Sequence, residues 1–242
     1  MKRLTFVFLF FSSWMHAQTT EEIIKKHIEA IGGLANWEKI KTLSIQEDLS
    51  NEGAIFHLHK QVVIGKAMRQ DIRIEDRSMI ANDKAYYILL RGQEGWKYLP
   101  DNPNYGVLPL EPQEIEEYRG QMDPEDPFLH AEEKGRKISL LNIEFISDTE
   151  YYKFIIEYTS GRQYYVFVNT KTFWIDRMVL SGGDIEDVRI YSEYQRRPEG
   201  IWVPMHIESS AGITTRKSFL INTKIPDTVF QPSSPNDRFF KH

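Results

Sequence analysis

Cysteine is absent from the 242 residues. That excludes disulfide bonds, thiolate-held zinc, iron–sulfur clusters, a cysteine nucleophile and a lipid-modified N-terminal cysteine. Glycine and proline number 14 and 11, too few for a collagen-like or low-complexity chain. Surplus positive charge is missing too, since the formal net charge is −5. Without it there is little to neutralise phosphates, and nucleic acid is not an expected partner. Long apolar runs are scarce: residues 4–11 form one that falls well short of the about 20 residues a membrane helix needs. No serine sits in a nucleophile elbow, and no glycine-rich loop joins a strand to a helix as a phosphate cradle would. The loop from Gly92 to Gly95 lacks that context. No cofactor is expected, and the chain does not read as an enzyme.

What is present begins with a leader. Lys2 and Arg3 precede the apolar run, and Ser12-Ser13-Trp14-Met15-His16-Ala17 follows it. This is the order of a secretory signal peptide, with cleavage expected after Ala17, although Met15 is larger than usual for its place. Residues 18–242 then form one exported domain, expected in the periplasm, since β-rich domains of this size are common.

Thr19 and Glu22 have capping-box spacing, and Ile23, Ile24, His27, Ile28 and Ile31 follow on one helical face. Gly32-Gly33 stops the helix, and a short second helix over 34–40 carries Trp37 inward. The period then changes to two. Phe56, Leu58, Val62 and Ile64 alternate with His57, His59, Gln61 and Val63; Ile72 and Ile74 alternate with Asp71, Arg73 and Glu75; Tyr86, Ile88 and Leu90 alternate with Tyr87, Leu89 and Arg91. Asn51-Glu52-Gly53, Asn82-Asp83 and residues 91–95 give the turns. Prolines punctuate residues 100–135, where 111–122 reads as a short acidic helix and 127–134 as another helical turn or two. Strands resume over 137–147, 150–159, 162–169, 172–180, 184–194, 201–210 and 213–223, about eleven in all. The fold class is mainly β (α+β): one large, strongly curved antiparallel sheet, with the N-terminal helix and the central helical segment on its concave side, like an incompletely closed barrel.

Several side-chain groups invite a chemical reading. His57 and His59 share a strand face, and Glu47 or Asp48 across a hairpin could complete a metal site, but no fourth ligand converges and no metal is expected. His27 reads as a boundary residue and His130 as part of a loop or lid. Glu111, Glu114, Glu116, Glu117, Asp123, Glu125 and Asp126 form a solvated acidic stretch, or a surface for a basic partner. The remaining signal is apolar. Phe56, Leu58, Ile72 and Ile74, with Tyr86, Ile88 and Trp96, and with Phe154, Ile156, Val166 and Val168, could line one concave surface. Their bland alternative is a packed core. A broad sheet with few helices to fill it favours a cavity.

Four segments carry a resemblance. They are Ile23-Ile24-Lys25-Lys26-His27-Ile28-Glu29-Ala30-Ile31-Gly32-Gly33 with Trp37; Gly95-Trp96 after a hairpin; Gly200-Ile201-Trp202-Val203-Pro204 after Tyr194; and Ile225-Pro226-Asp227-Thr228-Val229-Phe230. Together they make the chain resemble the LolA/LolB-like lipoprotein-carrier superfamily of Gram-negative envelopes, especially its outer-membrane lipoprotein-sorting relatives. The resemblance implies an eleven-stranded unclosed barrel, a helical lid and a hydrophobic cavity for acyl chains; in the carrier reading the lid is expected over residues 105–134. It also implies an arginine that locks the lid; Arg69, Arg73 and Arg91 are all conceivable and none is singled out. The expected function is a monomeric carrier for a lipid, a lipoprotein acyl chain or a similar apolar ligand. The alternative is an envelope interaction module that uses the acidic central segment to hold a protein partner. A transmembrane β-barrel is a third reading, opposed by charges on both faces of several strands.

Overall fold

The structure is a computed structural model that describes residues 18–76, 85–99, 106–123, 126–181 and 187–233. The leader expected over 1–17 lies outside these residues, as do the turn at Asn82-Asp83 and the glycines of the hairpin at Ser181-Gly182-Gly183.

The chain opens on helix α1 (Thr20–Ala30). Thr19 caps it as its spacing predicts: its hydroxyl accepts from the Glu22 amide, and the Glu22 carboxylate accepts from the Thr19 amide, both at 3.2 Å. Gly32 and Gly33, at φ +115° and +85°, turn the chain into the short helix α2 (Leu34–Trp37). Gly32 also lies against the backbone of Gly200 and Ile201, where a β-carbon would collide, and the Trp202 amide donates to the Ile31 carbonyl at 2.9 Å. Two of the segments that carry the resemblance therefore meet in space.

Thirteen strands follow in one sheet, two more than expected. The first six are β1 (Thr42–Asn51), β2 (Ala54–Val63), β3 (Ala67–Asp76), β4 (Ala85–Arg91), β5 (Glu94–Tyr98) and β6 (Val107–Pro109). The other seven are β7 (Lys137–Ile146), β8 (Thr149–Glu157), β9 (Gln163–Asn169), β10 (Ile175–Ser181), β11 (Val188–Arg196), β12 (Trp202–Ser209) and β13 (Gly212–Ile221). β6 falls among prolines, where alternation is too short to read. Neighbours pair antiparallel in the order β6-β5-β4-β3-β2-β1-β13-β12-β11-β10-β9-β8-β7.

The sheet is thus two meanders joined where β1 meets β13. β6 and β7 are its free edges, so it is not closed, unlike the barrel that a bilayer demands. Between those edges runs the central segment, with helix α3 (Pro112–Arg119) and the 3₁₀ turn Gly120–Met122. A connection from one edge to the other has to cross a face of the sheet, and that is the physical origin of the lid-like arrangement. Residues 127–135 form successive turns and no helix, a departure from the expected helical turns. Met122, Leu110 and Leu129 of this segment join Ile31, Trp37 and the strand residues Leu43, Ile45, Val62, Met68 and Leu90 in one buried cluster. The helices and the central segment therefore cover the same face, called inner here.

Candidate functional site

Strand pairing sorts the side chains of β1–β4 by face. Leu43 is opposite Val62, Val62 opposite Met68, and Met68 opposite Leu90, which places these on the inner face. Alternation then carries Lys60, Leu58 and Phe56 of β2, Gln70, Ile72 and Ile74 of β3, and Ile88 and Tyr86 of β4 to the same face. Six of the residues expected to line a cavity are thus brought together: Phe56, Leu58, Ile72, Ile74, Tyr86 and Ile88. All six are half-buried.

Trp96 is not among them. It pairs with Leu89, on the outer face, where it joins Tyr87, Leu89 and Phe230. Its expected place on the concave surface is corrected by the register of the hairpin, which puts Gly95 on the inner face. There the side chains of Leu110, Leu90 and Ile115 come within 3.0 Å of where a β-carbon would stand and would have to shift to admit one.

Phe154, Ile156, Val166 and Val168 do share one face, yet each is fully buried. Ile23 of α1 and Phe128 of the central segment pack over them, with Phe128 edge-on to Phe154 at 5.2 Å between ring centres. The chain's own side chains fill this part of the sheet.

Between β1, β2, β10–β13 and the central segment lies a cavity of about 70 Å³. On the same measure one water needs about 10–15 Å³, so it admits a few water-sized groups. Ile31, Trp37, Ile45, Val62, Trp202 and Phe219 supply much of its apolar wall. Charged groups reach it too: Lys60, Arg216, Asp123 and Asp126. Arg216, buried, donates its Nε to Glu47 Oε1 at 2.7 Å and its Nη1 to the Pro204 carbonyl at 2.9 Å. Tyr194 donates its hydroxyl to the Ile175 carbonyl at 2.6 Å, and burial holds its proton well above the usual phenol range.

The central segment is tied down by residues that sequence reasoning left aside. His27 is 1% exposed. Its Nδ1 lies 2.7 Å from the Phe173 carbonyl and its Nε2 lies 2.8 Å from Asp126 Oδ2. Both partners accept, so the ring satisfies both only when doubly protonated. Burial pushes its pKa down, but the Asp126 charge and the two hydrogen bonds outweigh it, and the net direction is upward. Arg136 donates to the Pro127 carbonyl at 2.9 Å, and Lys97 of β5 pairs with Glu114 of α3 at 2.6 Å. The reading of His27 as a boundary residue is corrected: it joins α1, the central segment and the β9–β10 turn. Its partners lie 99 and 146 residues away, beyond any spacing signal.

The conceivable lid-locking arginines lie elsewhere. Arg69 is on the outer face, where its guanidinium bonds Asp71 and the Val229 carbonyl. Arg73 shares that face by register, and Arg91, opposite Ala67, pairs with Glu94. His59 and His57 are also outward. His59 is buried beside Ser44, at 3.0 Å, and not solvated; His57 sits 2.7 Å from Asp48, while Glu47 faces inward. Among the described residues no three His, Cys, Asp or Glu side chains form a metal site. The acidic stretch is largely paired: besides Glu114 and Asp126, Glu116 meets Arg119 at 2.8 Å, and Glu117 meets Arg162 and Asp123 meets Lys134 at 3.6 Å. His130 lies in the turns after Phe128, at φ +51°, near Glu133.

No helix among the described residues is long and apolar enough to cross a membrane. Comparison with protein-family models and with curated proteins finds no match. Solved structures do match. A LolA superfamily protein of Nitrosomonas europaea aligns with 14% identity and a TM-score of 0.53, over 89% of this chain and 98% of that one. A DUF1329 family protein of Desulfovibrio piger gives 12% identity and a TM-score of 0.55, over 89% and 98%. A domain from Vibrio parahaemolyticus assigned to outer membrane lipoprotein sorting gives 12% identity and a TM-score of 0.53, over 86% and 94%. At such identities the likeness is one of architecture, and the chain has the unclosed, LolA-like sheet fold.

Proposed function

We propose that this chain is a non-enzymatic carrier, exported to the periplasm, that shelters a lipid or a lipoprotein acyl chain on the inner face of its sheet. The observation that supports this reading most is the unequal covering of that face. A cavity under the central segment is lined on β2 by Lys60 and Val62, and beyond Lys60 on the same face lie six half-buried apolar residues of β2, β3 and β4. An alkyl chain laid there gains roughly 0.8 kcal/mol for each CH₂ removed from water. The fold fits, being shared with a domain assigned to lipoprotein sorting. The internal pairing of the acidic stretch leaves less charge free for a basic partner and disfavours the interaction module.

The test is native mass spectrometry of the exported full-length gene product, purified without detergent. A co-purifying lipid-sized mass, released on denaturation, is expected. Phe56→Glu and Ile88→Glu should lose it while keeping their circular-dichroism spectra, and Lys171→Glu, in the exposed β9–β10 turn, should keep it. Equal retention in all three variants sinks the reading.

A further inference from the structure

The charged groups that line the inner cavity are not equally matched. Arg216 has Glu47 at 2.7 Å, Asp126 has His27 at 2.8 Å, and Asp123 has Lys134 at 3.6 Å. Lys60 has no such partner: no carboxylate oxygen of the described residues lies within 4.0 Å of its ammonium. Lys60 is half-buried in mid-sheet, with Ile45 and Gln70 opposite it and Leu58 and Val62 on either side along its own strand face. Glu47, a diagonal neighbour by register, is engaged by Arg216. An anion arriving beside this ammonium would gain a charge-assisted contact that no carboxylate of the described residues makes.

Lys60 also stands at a boundary. On one side the face is closed, with Val62 and Met68 fully buried. On the other it is open, with Leu58 and Ile72 in the next row and Phe56 and Ile74 in the row after. A head group at Lys60 has an alkyl track running away from it.

We propose that the inner face takes a single-chain amphiphile with an anionic head, a carboxylate or a phosphate, whose charge pairs with Lys60 at the cavity's edge while its alkyl chain lies outside the cavity along Leu58, Ile72, Phe56 and Ile74. This rests on the carrier reading and adds the ligand class to it.

The test titrates oleate, oleyl alcohol and oleoyl lysophosphatidate into the exported protein and follows tryptophan fluorescence, since Trp37 and Trp202 line the cavity. A charge-assisted contact is expected to favour oleate over the uncharged alcohol by about tenfold. Lys60→Gln should remove that preference and leave the affinity for oleyl alcohol unchanged, and Lys60→Arg should keep it. Tighter binding of the lysophosphatidate than of oleate identifies phosphate as the head, and the reverse identifies a carboxylate. Equal binding of oleate and oleyl alcohol by the unaltered protein overturns this inference and leaves the carrier reading standing, as does a preference that survives Lys60→Gln. Binding of none of the three amphiphiles overturns the carrier reading, and this inference with it.

Discussion

The inner face has two halves of the same making and opposite fates. On β2–β4, Phe56, Leu58, Ile72, Ile74, Tyr86 and Ile88 are half-exposed; on β8 and β9, Phe154, Ile156, Val166 and Val168 are sealed. Both sets are apolar, alternate with outward residues and point the same way. What differs is what lies above them. Ile23 and Phe128 come down onto the second set. Over the first set no described element packs so closely, and Lys60 and Gln70 in the next row of the same face interrupt the apolar surface. Strand pattern decides which residues face inward, and the covering elements decide whether that face is core or binding surface.

The largest expected effect tests the sealed half. Phe154→Ala should cost about 3–5 kcal/mol in urea unfolding, as deletion of a buried ring does. Phe56→Ala, starting half-exposed, should cost only about 1 kcal/mol. Equal costs would erase the distinction between the halves.

Next comes the latch that holds the cover in place. His27→Gln leaves Asp126, about one-tenth exposed, without its cation, at an expected cost of about 2–3 kcal/mol at pH 6. The folded-state pKa of His27 is raised above the ordinary value. Its contribution is therefore complete below the usual histidine range, near pH 6.5, and is lost as pH rises through the higher folded-state value. The gap in melting temperature between parent and variant should narrow from pH 6 to pH 9; a constant gap would mean that the ring acts by packing alone.

The smallest effect is expected at the other tie. Glu114 and Lys97 are each about a quarter to a third exposed, so Glu114→Gln should cost less than about 1 kcal/mol in the same unfolding assay. The Lys97 hydrogen bond holds the Glu114 carboxyl below its ordinary range, so the loss should be seen above that range and fade as pH falls through it.

Much of this molecule is legible in its sequence where the relevant physics is local. The capping box at Thr19, the stop at Gly32-Gly33, the helix over 111–122 and the strands after residue 137 depend on neighbours a few positions away. Which side of the sheet a residue takes is less local. Register shifts at Gln46/Glu47, Leu140/Asn142 and Ile175/Arg177 change the alternation midway, and the two-residue turn before β5 sends Trp96 outward. The burial of His27 and His59 was not visible either. It comes from elements that the fold brings from far along the chain, and a histidine among apolar residues reads the same whether it is a rim or a clamp.

The seam between β1 and β13 has a kinetic consequence. It joins residues about 170 to 180 positions apart, Leu43 to Ile221 and Glu47 to Arg216. Such a contact closes a very long loop, and chains ruled by distant pairings fold slowly. Each meander can zip locally, but β1 and β13 stay bare edges until the last strand has been made. Glu47 and Arg216 then act as a register key: each needs the other's charge once water leaves the seam, and a foreign strand docked on either edge would strand one of them.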